Sequence, residues 1–124
     1  MPTTEQKQAA VHGYIDAFAR GDAEAAVALF AADASVEDPL GTPIKRGHAE
    51  IRDFYAGAMA TGAALELQGQ PRYAADYVAF AFSVKLAWQG QESVIDVIDT
   101  FRLDDAGKIT EMRAYWGPEN MKAG

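Results

Sequence analysis

Three side chains in this sequence have the type and placement for acid–base chemistry: Tyr14, Asp38 and Asp99. Asp99 lies in the stretch VIDVIDTF, Val94 to Phe101. In a strand, alternate side chains point to opposite faces. Asp99 then shares a face with Ile95, Val97, Phe101 and Leu103, all apolar, while Asp96 falls on the other face with Val94, Ile98 and Thr100. An apolar wall penalises the charged form of a carboxyl and raises its pKa, so the group can stay protonated and donate a hydrogen bond. The competing readings are a register one residue out, or an arginine paired with Asp99. Tyr14 lies on the apolar stripe of the first helix, where a core tyrosine often only packs. Asp38 precedes Pro39, a turn signal, or else sets a carboxylate at the mouth of a pocket.

These residues need elements to hold them. Thr3 followed by Gln6 fits a helix-capping box. Val11, Tyr14, Ile15 and Phe18 then recur at helical spacing, and Gly21 ends the helix. Asp22 is a good N-cap for a shorter second helix carrying Ala26, Val27, Leu29 and Phe30, which AADAS breaks. SVEDP is a short extended piece, and Pro39 turns Asp38 away from helical angles. A third helix follows Arg46-Gly47, with Ile51, Phe54, Tyr55 and Ala58 at helical spacing.

After ATGA the period changes to two. Leu65 and Leu67 alternate with polar residues; Val78, Phe80, Phe82, Val84, Leu86 and Trp88 share one face. QGQ turns the chain into the strand of Asp99, and DDAGK leads into a last strand, ITEMRAYW. Helices first and antiparallel strands after is the α+β pattern. The simplest arrangement is one 1–124 domain in which a large sheet, closed by the early helices, encloses an apolar pocket.

Composition narrows the chemistry. A formal net charge of −7 disfavours nucleic acid and anionic membrane surfaces as partners. There is no cysteine, and the two histidines, His12 and His48, read as surface residues near helix termini, so neither a disulfide nor a metal site is expected. No nucleotide-binding glycine loop and no GxSxG elbow appear. MPTTEQKQ has no basic segment leading into an apolar one, so no signal peptide is read and a cytoplasmic location is expected.

Three stretches, RGDAEAAVALFAADASVEDPLG, IRDFYAG and DVIDTFRLDDAGKITEMRAYWG, together resemble the bacterial Δ5-3-ketosteroid isomerases, within the superfamily shaped like nuclear transport factor 2. The resemblance runs from about Val11 to Gly117. The GD…ALFA opening is shared widely across that superfamily; VEDP with DVID and the helix-1 tyrosine is far more specific. It implies a cone-shaped fold, with a curved, mostly antiparallel sheet closed by three N-terminal helices. It also implies catalytic roles for Tyr14, Asp38 and Asp99, with Tyr55 orienting Tyr14. This family is itself a standard example of a carboxylic acid kept neutral by an apolar site, so the protonated state of Asp99 comes with the resemblance. Some members carry a further tyrosine at the end of helix 2; here that position is Phe30.

The implied reaction moves the double bond of a 3-oxo-Δ5-steroid into conjugation, through a dienolate and without a cofactor. Candidates for the hydrocarbon lining are Phe18, Phe54, Phe80, Phe82, Val84, Leu86, Ile95, Val97, Met112 and Trp116. Val94, Ile98, Ile109 and Tyr115 lie among Asp96, Glu111 and Arg113 on the outward sheet face; that mixed patch, with the family's habit, implies a homodimer. Alternatives are a non-catalytic steroid or lipid binder, a polyketide cyclase, or an epoxide hydrolase, which would need an arginine beside Asp99. Arg102 points to the opposite face in this register.

Overall fold

The computed structural model describes residues 1–124; the Trp88 side chain, placed by its spacing on the inward face of its strand, lies outside the described residues. The first helix, α1, spans Thr4–Arg20, closed at its start by the reciprocal Thr3–Gln6 capping box and at its end by Gly21 with φ 60°. A β-carbon is disfavoured at that left-handed conformation, which is why glycine stands there. The short α2, Ala23–Val27, is capped by Asp22, whose Oδ1 accepts from Ala25 N at 3.0 Å. Then come β1 (Phe30–Glu37), β2 (Lys45–Arg46) and α3 (Gly47–Met59). Four more strands follow: β3 (Ala64–Ala74), β4 (Tyr77–Trp88), β5 (Gln91–Leu103) and β6 (Ile109–Tyr115). A turn of 3₁₀ helix, Pro118–Asn120, leads to β7, Met121–Ala123.

The sheet order is β2-β1-β6-β5-β4-β3, with β7 added along β5. All pairs are antiparallel except β1 with β6. The sheet is curved and unclosed, and the three helices complete an α+β cone. The register of β5 follows the period-two reading. Ile95, Val97, Asp99, Phe101 and Leu103 are buried, and Asp96, Ile98 and Arg102 are exposed. No helix is long and apolar enough to cross a membrane.

Three local expectations give way. The second helix stops at Val27; Phe30 opens β1, and AADAS is strand. Pairing with β6 draws this segment out: Ile109 N donates to Leu29 O at 2.9 Å, and Phe30 pairs with Ile109. Ile109 is not on the outer face but fully buried. The β5–β6 pairing shifts between Arg102 and Leu103, so Arg102 faces Glu111 while Leu103 faces Ile109. The extra residue, Thr110, reverses the alternation, as a bulge does. His12 sits in the middle of α1, exposed, and not near a terminus. His48, in the first turn of α3, is half-buried with its Nε2 2.9 Å from Phe30 O.

Candidate active site

α1 and α3 cross the sheet with their aromatic faces together. Tyr14 packs edge-on against Tyr55, Phe101 and Phe80, at ring separations of 5.6, 5.1 and 6.4 Å. Such pairs contribute about 0.5–1.5 kcal/mol each beyond burial alone, so the ring is fixed by its neighbours. The Tyr14 and Tyr55 hydroxyls lie 3.0 Å apart. With Tyr55 donating, the Tyr14 proton is left for another acceptor. Burial, with the nearby Tyr55, Asp99 and Asp38, holds the Tyr14 pKa well above the ordinary phenol value. Burial does the same for Tyr55, partly offset by its bond to Tyr14. Both are neutral hydroxyls at physiological pH.

Asp99 is set between Phe80 of β4 and Ala114 of β6, and it is 1 % exposed. Its two oxygens are the buried side-chain polar atoms without a hydrogen-bond partner among the described residues. Buried polar groups are nearly always paired, so each exception calls for a reason. Desolvation first, and the neighbouring Asp38 second, push the Asp99 pKa well above the carboxylate range. No arginine neutralises it: Arg102 points to the opposite side and pairs with Asp76 at 2.8 Å.

Asp38 is treated differently. It follows β1 and is half-buried, and Trp116 Nε1 donates to its Oδ1 at 2.9 Å. Burial raises its pKa, but the Trp116 donor and then the Lys45 charge pull it back toward ionisation.

Tyr14 and Asp38 open onto one cavity of about 720 Å³, walled mostly by hydrocarbon. That is ample for a rigid ligand of drug size. Phe18, Phe54, Phe82, Val84, Leu86, Ile95, Val97 and Trp116 line it. Phe80 and Met112 do not. Phe80 lies under α1 between Phe82 and Phe101, and Met112 is enclosed at the centre of the sheet beside Val36 and Phe101. Sequence reasoning placed both on the correct face, but too deep to touch a ligand.

It missed Asp53, Gly57, Ala58 and Thr61 on and after α3, Ala63 just before β3, Leu65 in that strand, and Met121. Leu65 had its alternation and Ala58 its helical spacing as signals. Met121 had none, because pairing of the tail with Ile95 brings it to the cavity.

An apolar cavity between α1, α3 and a curved sheet, with Tyr14 and Asp38 on its walls and the unpaired Asp99 carboxyl buried behind its lining, defines a class before it defines a protein. Residues 11–112 match the SnoaL-like domain family, and the chain belongs to it, within the nuclear transport factor 2-like group. Among individual proteins, it is 40 % identical over 114 residues to the steroid Δ-isomerase of Nocardioides simplex, covering 92 % of each chain. The solved structure of SalBIII, an epoxide hydrolase/cyclase-like enzyme of pyran-ring formation in the polyether salinomycin, superposes with a TM-score of 0.90. That likeness covers 98 % of each chain, at 27 % identity.

Proposed function

We propose that this protein converts 3-oxo-Δ5-steroids to conjugated 3-oxo-Δ4-steroids by intramolecular proton transfer. The observation that carries the reading is Asp99, a carboxyl buried on an apolar wall with neither oxygen paired. A neutral acid held there has a proton to give and no internal acceptor. The steroid carbonyl oxygen supplies that acceptor, between the Asp99 proton and the Tyr14 hydroxyl.

Asp38, ionised, removes a proton from the carbon between the carbonyl and the double bond. The electron pair moves onto the oxygen, giving a dienolate and a neutral Asp38. The two donors stabilise that negative oxygen as an oxyanion hole does. Asp38 then returns the proton two carbons further along, and the electrons flow back to restore the ketone in conjugation. Atoms and charge balance with one base acting twice, so the chemistry asks for no cofactor. Tyr55 keeps the Tyr14 proton aimed at the oxygen by donating to Tyr14 from behind. The hydrocarbon lining suits a substrate that is nearly all hydrocarbon.

The identity to a steroid Δ-isomerase supports this reading. The likeness to SalBIII favours epoxide or cyclase chemistry as the second reading. An Asp–Arg–Asp epoxide site would need an arginine at Asp99, where none pairs. Incubation with 5-androstene-3,17-dione, followed by absorbance of the conjugated enone, tests the proposal: enone formation proportional to enzyme is expected, and binding without conversion would leave a steroid carrier.

We also propose a homodimer built on the outer sheet face. Ile98 and Tyr115 are direct cross-strand partners there, 48 % and 44 % exposed, and large apolar side chains left open side by side are usual at interfaces. With Ile109 turned inward, that patch is smaller than the sequence implied.

A further inference from the structure

We propose that Lys45 is a positioning residue for the proton transfer: from the rim of the cavity its ammonium keeps Asp38 in the charged form that a base requires. The inference deepens the isomerase reading and rests on it for its catalytic meaning.

The placement follows from the sheet. β2 is only two residues long, and in it Lys45 pairs with Val36 of β1 while Arg46 pairs with Ser35. Cross-strand partners share a face. Val36 is fully buried, so Lys45 is directed to the cavity side, two residues along β1 from Asp38. Its ammonium sits 5.1 Å from the centre of the Phe54 ring, and Phe54 is itself a cavity wall. Lys45 Nζ also donates to Pro43 O at 3.0 Å. Among the described residues this ammonium forms no ion pair, unlike Arg20, Arg52, Arg102, Arg113 and Lys122. A cation resting on an aromatic face is held in place without being neutralised. Its field is therefore available to Asp38, whose ionised form it favours.

Beyond the Trp116 indole, whose hydrogen bond is the larger aid to ionisation, the other groups around Asp38 give it little help. α1 presents Tyr14, and α3 presents Tyr55 and, at the rim, Asp53. β5 presents Asp99, which is neutral in the proposed working state. Glu37, next in the chain, is occupied by Arg113 at 3.2 Å on the outer side. Trp116 donates one hydrogen bond. Among the described residues Lys45 is the one cation whose charge favours ionised Asp38, against the burial that disfavours it.

The test separates this from the isomerase reading. In ligand-free protein with ¹³C-labelled aspartate carboxyls, and with Asp38→Asn giving the assignment, the Asp38 titration is followed in wild type, Lys45→Met and Lys45→Arg. Methionine keeps an unbranched stem against Phe54 and removes the charge; arginine keeps the charge. Lys45→Gln serves as a second neutral variant if Lys45→Met does not fold. The Asp38 midpoint is expected to move to higher pH in the neutral variant and stay near wild type in Lys45→Arg. The acid limb of kcat/KM should move the same way, with turnover on the high-pH plateau retained. An unmoved Asp38 midpoint in a folded neutral variant overturns the proposal, as does an equal shift in Lys45→Arg. The carboxyl titration decides Lys45 whether or not the steroid is converted.

Discussion

Replacing Asp99 by leucine should make the protein more stable and far less active. Leucine has the same branched outline as aspartate and fills the site without polar atoms. Each unsatisfied buried polar group costs about 1–3 kcal/mol, and both Asp99 oxygens are unpaired. Relief of that cost is the gain expected where Asp99 is protonated in both the folded and unfolded chain, below the ordinary Asp pKa of about 3.9. Above that pH the two states diverge. The folded-state pKa is raised, so the folded chain holds its proton while the unfolded chain has released it. Wild-type stability therefore falls, relative to a neutral variant, by about 1.4 kcal/mol per pH unit from about pH 4 up to the folded pKa.

Urea melts of wild type, Asp99→Leu and Asp99→Asn at several pH values from 4 upward measure that slope. Turnover should move the opposite way. Loss of one oxyanion donor costs about 10²–10³-fold in kcat, and Asp99→Leu should show it. Asp99→Asn still offers an N–H and should lose clearly less. Asp96→Asn, on the solvent face and paired with Lys122 at 3.4 Å, should change turnover little. Equal damage from Asn and Leu, or a leucine variant less stable than wild type at pH 7, refutes the neutral-donor argument.

Four further outcomes are expected. Asp38→Asn should lower kcat by about 10²–10⁴-fold, or more since the group acts twice, while fluorescence titration still detects binding of a product-like steroid. In pH–rate profiles, kcat/KM should fall on acidification through an Asp38 pKa above the ordinary carboxylate value, and Trp116→Phe should move that limb higher still, because the indole N–H favours the ionised form. Tyr55→Phe removes one hydrogen bond behind Tyr14, worth about 0.5–1.5 kcal/mol, so steady-state kcat should drop by about two- to tenfold. Sedimentation at micromolar concentration should give a dimer that Ile98→Lys weakens; a monomeric wild type would remove the outer sheet face as an interface.

What could be read from sequence was what local chemistry decides. The α1 cap and stripe, the period-two face of β5 and the odd carboxyl on it depend only on neighbours in the chain, and all appear as expected. What could not be read was set by pairing between distant segments. Phe30 looked helical because its local spacing is helical, but its partner Ile109 lies far along the chain and makes it a strand. Thr110 reverses one face of β6 with no signature in its own sequence. Depth was equally hidden: Phe80 and Phe82 alternate identically, yet only Phe82 reaches the cavity, because α1 covers the other. Lys45 and Met121 come to the site only through β2 and β7.

Two carboxyls close enough to feel each other, Asp38 on the cavity wall and Asp99 buried behind it, raise an electrostatic problem that the proposed chemistry itself answers. Were both ionised, each would raise the other's pKa, and Asp99 has no bulk water to spread its charge. Here the environments diverge: Asp38 has an indole donor and a nearby ammonium, while Asp99 has neither. The proposed mechanism therefore puts the negative charge on Asp38 and the proton on Asp99. In that mechanism, when Asp38 takes the steroid proton, the charge moves to the oxygen held by Tyr14 and Asp99. In the proposed mechanism Asp38, Asp99 and the steroid oxygen together carry a single negative charge before, during and after the transfer. The reaction relocates that charge between two prepared positions instead of creating one in hydrocarbon, where it would be costly. On this account Lys45 favours the charge on Asp38 over the charge on the oxygen. It keeps the base ready at neutral pH and leaves its basicity somewhat lower. A neutral Lys45 variant should therefore need a higher pH to work, yet abstract the proton at least as fast once Asp38 is fully ionised.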